Sequence, residues 1–329
     1  MQENTTSGKI VVTGAYGFIG CNLVRALNQK GFSNLILVDD FSSEAKRKNL
    51  EGCLFDSKID RNLFIEWLTE NADEVSFVFH LGARTDTAEF NFRVLDSLNL
   101  SYSKALWEIC TVKNIPLLYA SSAATYGLGE CGFDDTTSIE NLKPLNPYGL
   151  SKQLFDMFVL EQKQMPTYWC GLKFFNVYGP HESHKGRMAS VVYHAYHQIS
   201  ATGEMKLFRS HNPEYKDGEQ LRDFIHVDDI TNVCLYFYDK FINDCHARIN
   251  GIYNLGTGTA RTFNDLVNCV FQELDMEKQL EYIDTPEDIR DKYQYFTEAK
   301  MEKLKHAGCT HEFTSLEKGI GSYVRFLRE

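Results

Sequence analysis

Two side chains able to move a proton stand four positions apart in the segment NPYGLSKQLFD, residues 146–156. Pro147 and the apolar spacing of the residues behind it predict that a helix begins here. Since positions i and i+4 share one face of a helix, the phenol of Tyr148 lies beside the ammonium of Lys152. The neighbouring ammonium and a positively charged nicotinamide ring both favour phenolate, so together they are expected to lower the pKa of Tyr148. Such a phenol takes a proton from an alcohol while a hydride leaves for a nicotinamide ring.

A hydroxyl that suits the same chemistry lies at the end of a predicted strand in the segment IPLLYASSAATYG. Ser122 in this segment is placed to hydrogen-bond the substrate oxygen that Tyr148 would deprotonate. Ser122, Tyr148 and Lys152 together predict a site that interconverts an alcohol and a ketone.

The elements that must position this chemistry begin with a glycine-rich turn in the segment VVTGAYGFIG. Gly14 permits a tight turn, Gly17 lets the backbone approach a pyrophosphate, and Gly20 lets the following helix pack closely on the sheet. A strand precedes the turn, a helix follows it, and Asp39 stands about 20 residues further on at the end of the next strand. This context predicts a dinucleotide site with the phosphates at the helix N-terminus.

The choice between NAD and NADP stays open at this level. Asp39 would bind the ribose hydroxyls of adenosine, which favours NAD. Lys46, Arg47 and Lys48 follow closely, and one of these cations could hold a 2′-phosphate, which favours NADP. They could equally form a solvated helix face.

Apolar strands and amphipathic helices alternate through the first half of the chain. Strand-like runs such as KIVVTG, NLILVDD and VSFVFHLGA are separated by helix-like segments such as SYSKALWEICTVKN. This alternation predicts an α/β fold with a doubly wound parallel sheet of the Rossmann type. After about residue 176 the pattern loosens into short strands and helices. We therefore expect a dinucleotide-binding domain over 1–176, with a chain return at 222–258, and a smaller C-terminal substrate-binding lobe over 177–329.

Composition narrows the classes of function. The net charge of −11 over 329 residues argues against non-specific nucleic-acid binding. The nine cysteines include no CxxC pair, which indicates a reducing compartment. We see no apolar run long enough for a signal peptide or a membrane span, and we expect a cytoplasmic protein without nucleic-acid or membrane partners. The histidines of the segment HESH, residues 181–184, lack the spacing of a metal site, so we expect no metal.

Four motifs in order, TGxxGFIG, SSAATYG, YGLSK and FNVYGP, resemble the extended short-chain dehydrogenase/reductase family of nucleotide-sugar enzymes. The resemblance runs through nearly the whole chain. It implies a tightly held nicotinamide cofactor, a nucleotide-diphosphate sugar as substrate and a homo-oligomer. Ser122, Tyr148 and Lys152 match the catalytic residues of that family.

The segment FFNVYGPHESHKGRMASVVYH is similar to one branch of that family, the ADP-L-glycero-D-manno-heptose 6-epimerases. These enzymes oxidise carbon 6 to a ketone and return the hydride to the other face, with NADP expected as cofactor and NAD as the alternative. Inversion needs a proton carrier on each face, and the resemblance assigns Tyr148 to one and Lys185 to the other. Desolvation or a nearby positive charge would lower the pKa of Lys185 for this role. The alternative for Lys185 is a phosphate or ribose contact.

The resemblance also implies two sets of binding residues. The cofactor set is Gly14, Tyr16, Gly17, Phe18, Ile19, Gly20, Asp39, Asp40, Lys46, Leu81, Gly82, Ala83, Arg84, Thr85, Asn99, Lys152, Val177 and Lys185. The substrate set is Asn176, Arg187, His194, Phe208, Arg209, Ser210, His211, Arg222 and Tyr293.

The chain departs from that branch at the sugar site. His181 and Arg187 replace the usual residues, and NPEYKDGEQ lengthens the loop before Arg222. These changes leave the sugar and the nucleotide open. A 4-epimerase or reductase acting on UDP- or GDP-sugars is one alternative, and a non-catalytic dinucleotide-sensing protein is another.

Overall fold

A computed structural model describes residues 8–244, 249–290 and 293–329, without the side chains of residues 288 and 289. Cys245 and the polar N-terminal residues 1–7 lie outside the described residues. In the part of the chain that is described, no helix combines the length and apolar character needed to cross a membrane.

Seven parallel strands form the main sheet, in the order β11-β6-β5-β4-β1-β2-β3. These strands are β1 (Lys9–Thr13), β2 (Leu35–Asp39), β3 (Ser57–Asp60), β4 (Val75–His80), β5 (Leu117–Ser122), β6 (Trp169–Phe174) and β11 (Gly251–Leu255). Central strands such as β2 and β6 are buried along their whole length, as parallel strands covered by helices on both faces must be. The predicted α/β fold of the Rossmann type is confirmed.

Helices cover both faces of the sheet and extend beyond it. They are α1 (Phe18–Gln29), α2 (Arg61–Asn71), α3 (Phe92–Leu95), α4 (Tyr102–Lys113), α5 (Pro147–Glu161), α6 (Val191–Thr202), α7 (Val227–Asn243), α8 (Phe263–Leu274), α9 (Glu287–Arg290), α10 (Glu302–His306) and α11 (Leu316–Arg328). Helix α5 begins where the sequence predicts. The side chain of Asn146 accepts from the backbone N–H of Gly149 at 2.8 Å, and Pro147 occupies the first turn.

Six short strands form three separate pairs. They are β7 (Asn176–Tyr178), β8 (Met205–Phe208), β9 (Leu221–Arg222), β10 (Phe224–His226), β12 (Arg261–Thr262) and β13 (Leu280–Ile283). Strand β10 pairs with β7, β12 with β9, and β13 with β8. Helices α6, α8 and α11 pack around a second hydrophobic cluster next to these pairs, distinct from the cluster around the main sheet.

Two local features differ from the sequence-based expectation. The segment SSAATYG does not continue as a strand, because the hydroxyl of Ser122 accepts from the N–H of Ala124 at 3.1 Å and a 3₁₀ turn follows over Ala123–Tyr126. Strand β3 and helix α2 were not expected at all, since β3 has four residues and is only half-buried at the edge of the sheet. The turn after β5 fixes the direction of Ser122, and β3 brings α2 to the end of the sheet.

Candidate active site

A cavity of about 730 Å³ opens at the carboxyl ends of β1, β2, β4 and β5. Its volume is typical of a site for a small organic ligand or cofactor. Open α/β sheets bind ligands at this edge, where helices leave the strands in opposite directions. The predicted catalytic residues Ser122, Tyr148, Lys152 and Lys185 all line it.

The glycine turn between β1 and α1 forms one wall of the cavity. Gly14 has φ of +71°, and a Cβ there would come within 2.7 Å of the backbone nitrogen of Gly82. Helix α1 begins at Phe18 without a side-chain cap, so its first N–H groups are available to an anion. The turn therefore fits the pyrophosphate of a dinucleotide.

Two pairs of a carboxylate and a cation lie at the end of β2. Asp39 is nearly buried, and its carboxylate accepts from the N–H of Tyr16 at 3.0 Å. The ammonium of Lys46 lies 3.3 Å from the other carboxylate oxygen of Asp39. Beside this pair, Arg61 lies 3.3 Å from the carboxylate of Asp40. This end of the cavity therefore offers both acceptors for ribose hydroxyls and cations for a phosphate.

Several cavity residues were missed by the sequence reasoning. They are Thr13, Val38, Ser43, Arg61, Asp86, Glu89, Val94, Leu98, Tyr102, Ala120, Ser121, Phe174, Phe175, His184 and Met188. Arg61 could have been found only by recognising β3, which precedes it. Tyr102 begins α4, more than 40 residues from either carboxylate at the end of β2, so no local pattern points to it.

The loop after β4 is held by buried polar groups. His80 bonds Thr13 at 2.8 Å and Ser103 at 2.8 Å, and the hydroxyl of Thr13 accepts from the N–H of Gly82 at 3.0 Å. Burial lowers the pKa of His80 to about 3, and the charge on Lys152 acts in the same direction, so the imidazole is neutral.

Asn99 lies behind this loop and does not line the cavity. Its side chain is 1% exposed, and it bonds both the N–H of Arg84, at 2.7 Å, and the C=O of Arg84, at 3.0 Å. Asn99 also donates to the hydroxyl of Ser151 on α5 at 3.1 Å. It therefore supports the cavity wall and links it to α5.

The chemical centre joins β5 to α5. The hydroxyl of Ser122 lies close enough to the phenol of Tyr148 to lower its pKa. The ammonium of Lys152 is buried and donates to the C=O of Ala120 on β5 at 2.9 Å. Burial lowers the pKa of Lys152 to about 8, while the carboxylate of Asp156, one turn further along α5, acts to raise it.

The expected lowering of the Tyr148 pKa is wrong for the protein chain by itself. Burial raises the pKa of this phenol, and the hydrogen bond with Ser122 opposes the rise without cancelling it. Burial disfavours the charged form of any group, and the sequence spacing alone does not reveal how buried a position is.

Lys185 reaches the cavity from the 3₁₀ segment Ser183–Met188. Its ammonium lies 5.1 Å from the centre of the Phe18 ring at the start of α1. Burial lowers the pKa of Lys185, and the carboxylate of Glu182 partly opposes this, so the expected lowering by desolvation is confirmed. Glu182 is fully buried and accepts from the N–H and the hydroxyl of Ser190, each at 2.6 Å. These bonds join the 3₁₀ segment to the start of α6.

Arg187 lines the cavity and pairs with Asp86 across its mouth at 3.2 Å. Val177 also lines the cavity, whereas Tyr16, Asn176 and His194 do not. Tyr16 contributes its N–H to Asp39, as described above.

Tyr293 and Phe208 of the predicted substrate set form one group with Arg222. Arg222 is 7% exposed and lies between the rings of Phe263 and Tyr293, 5.5 and 5.4 Å from their centres. The ring of Tyr293 also packs edge-on against Phe208 at 6.2 Å. Arg209, at the end of β8, lies 3.4 Å from the carboxylate of Asp284.

Of the other members of that set, His211 and Ser210 lie near this group, whereas Asn176 and His194 lie on other elements. The N–H of His211 donates to the hydroxyl of Tyr295 at 3.1 Å, and the N–H of Ser210 donates to Asp217 at 2.8 Å. Asn176 is exposed at the start of β7, and His194 is half-buried on α6. Across the described ranges, His, Cys, Asp and Glu form no cluster that could hold a metal ion.

Comparison with known proteins matches this geometry to a family. The model of the NAD dependent epimerase/dehydratase family matches residues 10–256. The ADP-L-glycero-D-manno-heptose-6-epimerase of Fusobacterium nucleatum is 46% identical over 327 residues, covering 96% of this chain and 97% of that protein. The enzyme of the same name from Nitratidesulfovibrio vulgaris strain Hildenborough is 46% identical over 318 residues, covering 96% of both.

Solved structures agree with the sequence comparison. The crystal structure of Helicobacter pylori ADP-L-glycero-D-manno-heptose-6-epimerase superposes with a TM-score of 0.80. It is 29% identical and covers 98% of this chain and 96% of its own. The UDP-glucose 4-epimerase of Thermotoga maritima, solved with UDP-glucose, has a TM-score of 0.76 at 25% identity and covers 97% of this chain and 98% of its own.

Proposed function

This chain belongs to the NAD dependent epimerase/dehydratase family, and we propose that it is an ADP-glycero-manno-heptose 6-epimerase. One observation carries the proposal. Lys185 is half-buried and lines the same cavity as Ser122, Tyr148 and the buried Lys152. A 4-epimerase or reductase of this fold does not need such a group, whereas a 6-epimerase uses it to deliver a proton on the opposite face of the carbon.

The proposed catalytic residues divide the proton transfers between them. Tyr148 takes the proton of the carbon-6 hydroxyl as the ketone forms, and Ser122 hydrogen-bonds the same oxygen. Lys152 keeps a positive charge beside the phenol, because its pKa of about 8 leaves it mostly protonated near neutral pH. The oxidised nicotinamide, when bound, supplies a hydride acceptor and a second positive charge at this point.

Lys185 serves the other face of the same carbon. After the ketone turns over in the cavity, Lys185 donates its own proton to the oxygen as carbon 6 is reduced from the opposite side, and proton exchange with solvent then restores Tyr148 and Lys185. Its lowered pKa suits a group that must both give and take a proton. The sugar therefore leaves with inverted configuration at carbon 6.

We propose NADP as the cofactor, with NAD as the alternative. The support is at the end of β2, where Lys46 and Arg61 stand beside the two carboxylates that would face the adenosine ribose. A cation there can neutralise a 2′-phosphate, and Arg61 can bind it in a two-point manner. Asp39 keeps the site able to hold the unphosphorylated ribose.

The proposed substrate lies between a dinucleotide-binding domain, 1–176 with the return at 222–258, and the substrate-binding lobe of 177–329. Arg222, Tyr293 and Phe208 support the nucleotide-diphosphate portion, because a guanidinium between aromatic rings suits phosphate and base together. Asn176, Arg187 and His194 are proposed contacts of the sugar. The proposed surroundings are cytoplasmic, which agrees with the eight free thiols among the described residues. A homo-oligomer is proposed, to be checked by light scattering.

The test is incubation of the purified protein with ADP-D-glycero-D-manno-heptose, with the carbon-6 configuration followed by NMR. We expect an equilibrium mixture of the two epimers and no net consumption of dinucleotide. UDP-glucose and a GDP-hexose serve as comparison substrates. Turnover of those substrates alone would replace the proposal by a 4-epimerase or reductase, and bound dinucleotide without any turnover would favour a sensing protein. Mass spectrometry of the dinucleotide released from the purified protein distinguishes NADP from NAD.

A further inference from the structure

A pair of opposite charges is buried beside the chemical centre, between β5, β6 and α5. The ammonium of Lys173 lies 2.6 Å from the carboxylate of Asp156, and the two side chains are 2% and 0% exposed. Two charges are costly to remove from water, and apolar residues of similar volume often stabilise a fold equally well. Stability therefore does not explain why this pair is here.

The carboxylate of Asp156 bonds the strand that carries Ser122. It accepts from the hydroxyl of Tyr119 at 3.1 Å and from the hydroxyl of Ser121 at 2.7 Å, both on β5. One turn earlier on the same helix, Lys152 donates to the C=O of Ala120. Helix α5 is thus bonded to three consecutive residues of β5, immediately before Ser122.

Lys173 extends the network to Ser122 itself. Its ammonium donates to the hydroxyl of Thr125 at 2.8 Å, and that hydroxyl donates to the C=O of Ser122 at 2.9 Å. Thr125 and the two charged residues have essentially no contact with solvent. A continuous chain of buried hydrogen bonds therefore runs from α5 through β6 to the peptide group of Ser122.

We propose that Asp156 and Lys173 are positioning residues, which hold the hydroxyl of Ser122 in register with Tyr148 and Lys152. The inference rests on the proposed function, because it concerns the geometry of that same site. Ser122 belongs to β5 and Tyr148 to α5, so the distance between them depends on how strand and helix are joined. A displacement of 1 Å in such a site can slow the reaction about 100-fold.

Electrostatics adds to the geometry. The titratable groups around Lys152 are Tyr148 and Asp156 on α5, Lys173 on β6 and His80 on β4. His80 is neutral, because burial lowers its pKa to about 3. The carboxylate of Asp156 supports the charged form of Lys152 against its burial. Removal of the pair therefore weakens both the alignment and the charge beside the phenol.

The test is the neutral double variant Asp156→Asn/Lys173→Met. Single substitutions leave one charge buried without a partner and endanger folding, whereas the double variant removes both charges together. We expect it to keep its thermal unfolding temperature within a few degrees and its KM for the nucleotide sugar, while kcat falls about 100-fold. The conservative variant Lys173→Arg should keep most of the activity. A native kcat in the folded double variant overturns the inference.

Further variants keep the inference testable. Thr125→Val breaks the last link and removes one hydrogen bond of the Lys173 ammonium, while both charges of the pair stay in place. It replaces the double variant if that variant does not fold, and we expect kcat to fall about tenfold. A Thr125→Val protein with native kcat then overturns the inference. Asp229→Asn is the matched control, because Asp229 is also a buried carboxylate, bonded to His311 at 2.7 Å and to Thr314, away from the cavity. It should lower the unfolding temperature without lowering kcat.

A measurement without turnover separates this inference from the proposed function. The side-chain NMR signals of the lysines of each protein are followed as the pH is raised and compared with those of its Lys152→Met counterpart, which isolates Lys152. We expect the pKa of Lys152 to be lower in the double variant, because the carboxylate of Asp156 no longer supports its charged form. An unchanged titration overturns the inference whatever the substrate. Absence of turnover in the unmodified protein, with the shift present, overturns only the proposed function.

Discussion

The cavity at the ends of the central strands and the group around Arg222 hold their charged residues in different ways. At the pyrophosphate end of the cavity, no side chain of the described residues caps the start of α1, and the ammonium of Lys185 lies over the ring of Phe18. At the ribose end, Lys46 and Arg61 are paired with Asp39 and Asp40. Around Arg222, the guanidinium already donates to the C=O of Leu221 at 2.8 Å and to the C=O of Gln294. The two halves of the proposed site are therefore differently prepared for a ligand.

Arg209 shows the same behaviour as Arg222. Its guanidinium donates to the C=O of Tyr282 at 3.2 Å and lies near the carboxylates of Asp217 and Asp284, at 3.7 and 3.4 Å. A nucleotide diphosphate that binds here must replace bonds that the protein makes with itself. The glycine turn of the dinucleotide half is preformed, whereas the guanidinium groups of the sugar-nucleotide half must exchange internal bonds for substrate bonds. Part of the binding energy on the sugar side is then used to break these internal bonds, and the rearrangement of the side chains can close the site over the substrate.

The largest effect is expected where the two halves meet. Tyr148→Phe removes the proton acceptor but keeps the ring, so kcat should fall by about 10³-fold or more, within the range that acid–base catalysis supplies. Dinucleotide affinity and the KM for the nucleotide sugar should change little, since neither half loses a binding group. Steady-state kinetics and dinucleotide titration measure the three quantities separately.

Tyr253→Phe is the matched control for this change. Tyr253 is also buried, and its hydroxyl donates to the C=O of Ile249 at 2.7 Å, outside the cavity. Its loss should affect stability alone. Turnover of Tyr148→Phe at the level of this control would show that the phenol carries no proton.

Lys185→Met should have the next largest effect, about 10²- to 10³-fold on the rate of inversion. The side chain keeps its length and its packing on Phe18, but it can no longer deliver a proton to the second face. Oxidation at the first face does not use Lys185, so formation of reduced dinucleotide on mixing with substrate should persist. The absorbance of the reduced nicotinamide, followed beside the carbon-6 configuration by NMR, distinguishes oxidation from inversion.

Lys303→Met controls for the loss of a half-buried lysine. Burial also lowers the pKa of Lys303, and its ammonium donates to the C=O of Ile252 at 2.8 Å, away from the cavity. Normal inversion in Lys303→Met and in Lys185→Met alike would remove the second proton carrier and with it the case for a 6-epimerase.

A third prediction tests the sugar half alone. Arg222→Ala should raise the KM for the nucleotide sugar about 10- to 100-fold, as expected for the loss of a charged hydrogen bond, while dinucleotide affinity stays unchanged. It should also destabilise the fold, because the C=O of Gln294 loses its partner. Lys206→Ala is the control, since Lys206 lies on β8 and pairs with Glu281 at the surface, at 2.8 Å. Equal effects of Arg222→Ala on both ligands would end the distinction between the two halves.

The local features of the site could be predicted from the sequence, whereas the features that depend on the whole fold could not. The glycine turn and the Tyr148–Lys152 spacing are local features, and their positions follow from the geometry of one turn and one helix. Arg61 and Tyr102 enter the cavity because β3 and α4 are brought there by the sheet, which no short-range pattern encodes. The assignments around Arg222 came from the resemblance, and one of the bonds that occupy its guanidinium is made with Gln294, more than 70 positions away.

The pKa values show the same limit. The sequence places a cation next to Tyr148, but burial decides the direction of the shift, and burial is a property of the whole fold. For Lys185 the prediction succeeded because desolvation was itself the expected cause. The pair of Asp156 and Lys173 was not predicted, since only strand order β5–β6 and the packing of α5 bring them together.

The smallest effect is expected at the ribose end of the dinucleotide half, where Lys46→Ala tests the choice of cofactor. Lys46 is 26% exposed and lies 3.3 Å from Asp39, so its loss removes one cation from the proposed 2′-phosphate site and leaves the carboxylate free. We expect NADP affinity to fall about fivefold to tenfold, because a partly exposed charge contributes about 1 kcal/mol. NAD affinity should rise slightly, as Asp39 becomes free to accept from the ribose hydroxyls.

Arg47→Ala is the control for that change, because Arg47 is 75% exposed and pairs with Glu44 at 3.6 Å. If Lys46 acts through the 2′-phosphate, raising the salt concentration should narrow the gap between NADP and NAD more in the native protein than in Lys46→Ala, where Arg61 remains. The same loss of affinity for NADP and NAD in Lys46→Ala would instead place this lysine on a part common to both, and the dinucleotide half would then select for a dinucleotide without selecting between the two.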